Sequence, residues 1–265
     1  MNPKYSICIT HYNEAPTIRA SLESLLSQID SNFEIVVVDS KSSDGSEEIL
    51  REYSRKGMIK LITRRCSRGR GRQIAFENST AAFIIANMDL DDIFRPRLRE
   101  LLEKYQENCS EDLLWVQSIE ERGFWGRGNI TIAPRGLLVD IGGWHDLQIG
   151  EDWELCRRAA HVGRYRWTYF KLLERANPHP ERRTSLGRLK FRYAFDRDKR
   201  RRGDAIFQPG DHPSLARRIP LLLAELSLPF YTRYEDSGDS SFEPYPKSCH
   251  LDFGESFPPA SEGHL

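Results

Sequence analysis

The stretch "FEIVVVD", Phe33 to Asp39, constrains the fold most. Its apolar, β-branched residues occupy successive positions, so the strand they predict must be buried on both faces. A strand of that kind belongs inside a parallel sheet with helices on either side. The flanking text supports this. "YSICIT" (Tyr5 to Thr10) is a short apolar run, and after it Ile18, Leu22, Leu25, Leu26 and Ile29 fall at helical spacing. "DGSE" (Asp44 to Glu47) reads as a capping box opening a helix through Ile49, Leu50 and Tyr53. "MIKLIT" predicts a third strand, "RQIAFENS" a short helix and "AAFIIANM" a fourth strand. The alternation predicts an α/β domain with right-handed crossovers and a sheet covered on both sides.

Beyond Arg95 the pattern changes. A helix is expected from about Arg95 to Asn108, then strands in "LLWVQS" and "NITIAPR". A glycine-rich loop feeding a helix follows in "GGWHDLQIGEDWELCRRAAHVG", and then the run "YRWTYF". The expected division is a domain over 1–175, with halves at about 1–110 and 111–175. A basic, partly helical extension over 176–234 and a flexible Pro/Ser/acid-rich tail over 235–265 complete the chain.

Charge and cysteine usage exclude several classes. Lys plus Arg and Asp plus Glu both total 39, so no net field draws the chain to nucleic acid. The five cysteines form no C-x-x-C pair, which argues against a disulfide frame or zinc site and for a reducing, cytoplasmic setting. "MNPKYSICIT" has no apolar signal region, and "IPLLLAELSLPF", broken by Glu225 and Pro229, is too short for a bilayer span. Leu186 to Arg202 carries eight basic residues against two acids. It reads either as a solvated helix or, with the rest of 186–230, as a peripheral contact at the inner face of the membrane.

Ligands of open parallel sheets bind beyond the carboxyl ends of the strands. Thr10-His11-Tyr12-Asn13, Asp39 and Asp89-Leu90-Asp91 all fall at such ends. In "ANMDLDDIF", Asp89, Asp91 and Asp92 repel one another, a cost relieved by a divalent cation or by a plain solvated turn. Asp92 also reads as an acid at the start of the next helix. Asp44 as a helix cap, and Glu14, Glu151 and Asp152 as first-turn acids, have equally local readings.

"SICITHYNEAPTIRASLESLLSQ", "FEIVVVDSKSSDGSEEIL", "MDLDD" and "GEDWELCRR", in this order, resemble the inverting family 2 glycosyltransferases of the GT-A fold, over roughly Tyr5 to Tyr169. The resemblance implies a mostly parallel central sheet flanked by helices, with a helical or irregular C-terminal extension. It implies a nucleotide-sugar donor and a glycan or lipid-linked hydroxyl acceptor. Asp39 and Asp44 match the pair that reads base and ribose, and Thr10, Tyr12, Asn13 and Glu14 match the nucleotide-pocket wall. Asp91 matches the ligand of Mn²⁺ or Mg²⁺, with Asp89 nearer the ribose or the water shell of the metal. Asp152 matches the general base and Glu151 a residue orienting the acceptor. "RRCSRGRGRQ" borders the diphosphate pocket in related enzymes, so Arg70 or Arg72 is expected to touch the donor. A downstream histidine, His179 before His212, is the expected further metal ligand.

The chain departs from the pattern at Lys41, where a small polar residue or Asn is common, and in having no Q-x-x-R-W after the ED helix, which implies a non-processive enzyme. Two alternatives stand beside this reading. "FIIANMDLDD" imitates a haloacid dehalogenase-type phosphohydrolase with Asp89 as nucleophile, and a non-catalytic nucleotide-sugar-binding relative keeps the same pocket. A nucleotide-sugar pyrophosphorylase would need a glycine-rich loop after the first strand, and "THYNEAPT" has no glycine.

Overall fold

The computed structural model describes residues 2–118, 129–175, 193–199, 201, 223–224, 227 and 247–255. Its elements run β1 (Tyr5–His11), α1 (Ala15–Leu26), β2 (Phe33–Asp39), α2 (Ser46–Arg55), β3 (Lys60–Thr63), α3 (Arg68–Glu77) and β4 (Phe83–Ala86). Then come β5 (Asp92–Phe94), α4 (Leu98–Asn108), β6 (Leu113–Gln117), β7 (Asn129–Pro134), α5 (Arg135–Asp140), α6 (Glu151–His161), β8 (Tyr165–Tyr169) and β9 (Leu173–Arg175). Seven strands form one sheet in the order β3-β2-β1-β4-β7-β6-β8, and β5 pairs with β9 in a second. The β1, β2, β3 and β4 pairings are parallel, as is β6 with β8, while β7 runs against both β4 and β6.

The sheet is apolar on both faces, as "FEIVVVD" demands. Ile35 and Val37 enter one core with Ile18, Leu22 and Leu25 of α1, Leu50 of α2 and Leu101 of α4. Val36 and Val38 enter the other with Ile74 of α3, Leu138 of α5 and Leu155 of α6. Burying each such side chain contributes about 1.5–3 kcal/mol. All five cysteines are free thiols.

Several local expectations are corrected. Asp44 and Glu47 form no capping box: α2 begins at Ser46 with Gly45 (φ 95°) before it, and the Asp44 carboxylate instead accepts the Ser46 N–H at 3.1 Å. Asp92 does not open a helix but heads β5, and α4 starts at Leu98 rather than about Arg95. Pro96 disfavours helix at Arg95. Ser24 and Gln28 at the end of α1 then hold the segment extended, because Phe94 N–H donates to Ser24 Oγ at 3.0 Å and Gln28 Nε2 donates to the Phe94 carbonyl at 3.1 Å.

Within the tail expected to be flexible, residues 247–255 dock on β8. Leu251 N–H donates to the Trp167 carbonyl (2.9 Å), Thr168 Oγ1 donates to the Leu251 carbonyl (2.7 Å), and Phe253 is buried. β8 is the outer strand of the sheet, and an uncovered edge invites pairing with other chains. Most of 186–230 lies outside the described residues. Among the described residues no helix is long and apolar enough to cross a membrane.

Candidate active site

The ends of β1 and β2 lie side by side, with His11 in register opposite Asp39. The loops that follow are stitched together. Asn13 (φ 54°) donates its N–H to Ser42 Oγ at 2.9 Å, and its Oδ1 accepts from Ser43 N–H at 2.8 Å. Glu14 N–H reaches Ser46 Oγ (3.2 Å), and Ala15 N–H reaches Asp44 Oδ2 (2.9 Å). Burial works against the Asp44 carboxylate, yet the Ala15 and Ser46 donors hold its carboxyl below the usual range. Asp39 is fully enclosed, its oxygens accepting Ser42 N–H (3.0 Å) and Ser42 Oγ–H (2.5 Å). Lys41 takes φ 57°, the left-handed region that favours Asn and Gly. Tyr12 is exposed, whereas His11 is buried with Nε2 unpartnered. Burial lowers the imidazole pKa against the pull of Asp39, Asp44 and Asp91.

The two glycines of "RRCSRGRGRQ" permit close packing. A Cβ on Gly71 would lie 2.4 Å from Thr10 Cγ2, and one on Gly69 would lie 2.1 Å from the His145 carbonyl oxygen. The start of α3 is thereby pressed between the end of β1 and the loop before α6, and Gly69 N–H donates to the Leu147 carbonyl at 2.8 Å. Gly69→Ala is expected to lower stability by about 1–3 kcal/mol, as overpacking does. A fall in the urea midpoint checks it, and an unchanged midpoint would mean that the contact has slack. Arg70, one of the two expected donor contacts, points elsewhere: its guanidinium pairs with Glu77 along the helix at 3.3 Å.

β4 delivers the acidic stretch. Met88 and Leu90 are buried, Asp89 and Asp91 are partly exposed, and Thr17 Oγ1 donates to the Leu90 carbonyl (2.8 Å) to anchor the turn. Desolvation raises the Asp89 carboxyl pKa, Arg72 opposes this, and Asp91 pushes it further up. Among the described residues no group of three His, Cys, Asp or Glu side chains is arranged to hold a metal ion. Two adjacent hard carboxylates under mutual repulsion nonetheless suit Mg²⁺ or Mn²⁺ when other ligands come from a diphosphate. His179 and His212 lie outside the described residues.

The centre of the site is Arg72, 3% exposed. Its Nη1 donates to Glu151 and to both oxygens of Asp152 at 2.9 Å, and its Nη2 lies 3.9 Å from Asp89 Oδ1. Burial disfavours the cation, but Asp152, Glu151 and Asp89 more than compensate and keep the guanidinium charged. Glu151 is 1% exposed and spends its carboxylate on Arg72, with Arg68 Nε 3.8 Å away, so it is not placed to orient an acceptor. Asp152, one position on, is 16% exposed. Desolvation raises its pKa to about 7 in spite of Arg72, with Glu151 adding to the rise. Trp144 Nε1 donates to Asp152 Oδ1 at 3.3 Å.

Sequence reasoning missed the frame behind Asp152. Gln73 Oε1 accepts Trp144 N–H at 2.8 Å, and Arg158 holds the Gly143 carbonyl (2.6 Å) and Glu154 (2.7 Å). Burial would raise the Glu154 carboxyl, but His145 and Arg158 bring it down to about 2. The only local signal for this frame is the i,i+4 spacing of Glu154 and Arg158 on α6.

The sequence profile of Glycosyl transferase family 2 matches residues 6–160, more than half of the chain. An uncharacterized glycosyltransferase of Methanocaldococcus jannaschii is 34% identical over 129 residues, covering 46% of this chain and 44% of the relative. The chain thus spans less than half the length of that relative. Staphylococcus aureus TarS 1–349 in complex with UDP-GlcNAc matches with a TM-score of 0.58 and 17% identity, over 84% of this chain and 73% of that one. A mannosyltransferase from Pyrobaculum calidifontis in complex with GDP-Man and Mn²⁺ matches with a TM-score of 0.55 and 19% identity, over 86% and 70%. The shared fold is the GT-A fold.

Proposed function

The chain belongs to Glycosyl transferase family 2, and from that premise we propose that it is a metal-dependent, inverting, non-processive transferase moving a sugar from a nucleotide-sugar donor to a hydroxyl of a glycan or lipid-linked acceptor. The observation that carries this reading is the guanidinium of Arg72, which lies 3.9 Å from Asp89 while bonding Asp152 at 2.9 Å. One buried cation therefore joins two acidic motifs lying far apart in the chain. The phosphohydrolase alternative loses its ground with the family match, which begins far upstream of Asp89.

In this reading the nucleoside lies along Thr10 to Glu14 and Asp44, with enclosed Asp39 holding the Ser42 turn behind it rather than touching the base, and with the diphosphate toward Asp89 and Asp91. Asp89 and Asp91 would hold Mn²⁺ or Mg²⁺, which supplies charge neutralisation at the leaving diphosphate. The complexes with GDP-Man and Mn²⁺ and with UDP-GlcNAc support this choice of ligands. Asp152 takes the proton of the acceptor hydroxyl as that oxygen attacks the anomeric carbon from the face opposite the leaving group. Arg72 and Trp144 fix the rotamer of Asp152, and Glu151 fixes Arg72.

Thermal shift against UDP, GDP, dTDP and CMP, each with Mn²⁺, Mg²⁺ or EDTA, tests the reading. Metal-dependent stabilisation by one nucleotide, lost in Asp91→Ala, is the expected result, because a ligand selective for the native state raises its stability. No shift with any pair would overturn it. A shift without transfer to any hydroxyl acceptor would favour the non-catalytic alternative.

A further inference from the structure

Next to the Arg72 cluster lies a cleft of about 310 Å³, lined by Arg65, Asp146, Gln148, Tyr193, Arg197 and Arg201 among others. Its floor is built. Buried Asp198 accepts from Gln148 N–H (2.7 Å), Ile149 N–H (3.1 Å) and Arg197 Nε (2.8 Å), and lies 3.5 Å from Arg201 Nη1. Asp198 is thus surrounded by donors and serves to hold two guanidiniums in place. The Arg197 guanidinium also lies 5.5 Å from the Tyr193 ring centroid. Asp146, the carboxylate in the lining, accepts the Ser67 hydroxyl. Among the lining residues three guanidiniums stand against one carboxylate, Asp146, with buried Asp198 pairing two of them from behind, and the planar fork of arginine matches the oxygens of a phosphate.

The position of the cleft relates it to the chemistry. Gln148 and Ile149 lead directly into Glu151 and Asp152, and Arg68, next to lining residue Ser67, places Nε 3.8 Å from Glu151. The diphosphate of the donor is assigned to Asp89 and Asp91, so this second basic surface is left for the other substrate. We propose that the cleft binds a phosphate group carried by the acceptor, with Arg65, Arg197 and Arg201 as its recognition residues. The proposal rests on the transferase reading above. It also gives a role to Arg65, an arginine of "RRCSRGRGRQ" that was not expected to touch the donor. The phosphate comes either from a soluble phosphate ester or from a lipid headgroup.

Calorimetry of the full chain with inorganic phosphate and glycerol 3-phosphate tests the soluble source. Flotation with phosphatidylcholine vesicles, with and without phosphatidic acid, tests the lipid source. Each is run on the wild type, Arg65→Ala and Arg201→Gln, beside titration with the nucleoside diphosphate and Mn²⁺. Arg65 is exposed and outside the Asp198 network, so its loss leaves the fold intact. Binding in either arm that weakens at least about tenfold in Arg65→Ala, with nucleotide affinity unchanged, supports the site. Phosphate binding that is absent, or equal in wild type and variants, overturns it; if nucleotide still binds, the transferase reading survives. Arg65-dependent phosphate binding in a chain that binds no nucleotide would overturn the acceptor role together with the reading beneath it.

Discussion

Replacing Asp152 by Asn should leave a folded, nucleotide-binding protein whose turnover is about 10²–10⁴-fold lower, the contribution of a positioned general base. The side chain keeps its shape, and its one oxygen can still accept from Arg72 and Trp144, but the second bond from Arg72, to Oδ2, is lost; Glu151 remains as the carboxylate partner of Arg72, so the larger loss falls on proton transfer. The pH profile gives the sign. Burial pushes the Asp152 carboxyl up to about 7, and only the ionised form accepts a proton. Turnover of the wild type should therefore rise with pH through about 7 and flatten above it. The measurement is release of nucleoside diphosphate from the donor identified by thermal shift, in the presence of acceptor, across that range. Undiminished turnover in Asp152→Asn would remove Asp152 as the base.

Arg72→Leu should lower the stability of the domain by several kcal/mol, about 3–5 at neutral pH. The guanidinium is the shared partner of Glu151 and Asp152, and breaking a buried pair from one side costs about 3–5 kcal/mol. Arg72 also opposes the rise of the Asp152 pKa, so its loss drives that carboxyl further above its ordinary value of 3.8. A carboxyl whose folded pKa is raised binds its proton more tightly folded than unfolded. Arg72→Leu should therefore regain stability as pH falls through that raised value, on top of the acid dependence of the wild type. Urea denaturation at several pH values reads both effects. A midpoint within the error of the wild type at neutral pH would show that the cluster is solvated and Arg72 dispensable.

Much of the frame was legible before the structure. The alternation of apolar runs located β1, β2 and β4 and the helices after β1 and β2, because burial on one face or two writes a period into the residues themselves. The positions at the ends of those strands, Thr10 to Glu14, Asp39 and Asp89 to Asp91, followed from the topology. The direction of β7 and the brief β5 did not follow. A strand of three residues shows too little period to be read, and the direction of a strand depends on the partner it meets. The docking of residues 247–255 on β8 was equally invisible, since a tail rich in Pro and Ser betrays no periodicity.

The local pattern of apolar and polar residues, by itself, determined which segments become strands and helices and which acids stand at the sheet edge. Tertiary structure alone decided what each charge does there. Arg70 and Arg72 are two positions apart on one helix, yet Arg70 pairs along the surface with Glu77 while Arg72 is buried against Glu151 and Asp152. Helical rotation turns them to different faces. Only the approach of α6, allowed by the missing side chain of Gly69, supplies the carboxylates that one of them meets. That approach joins residues about eighty positions apart, a distance over which no local period carries information.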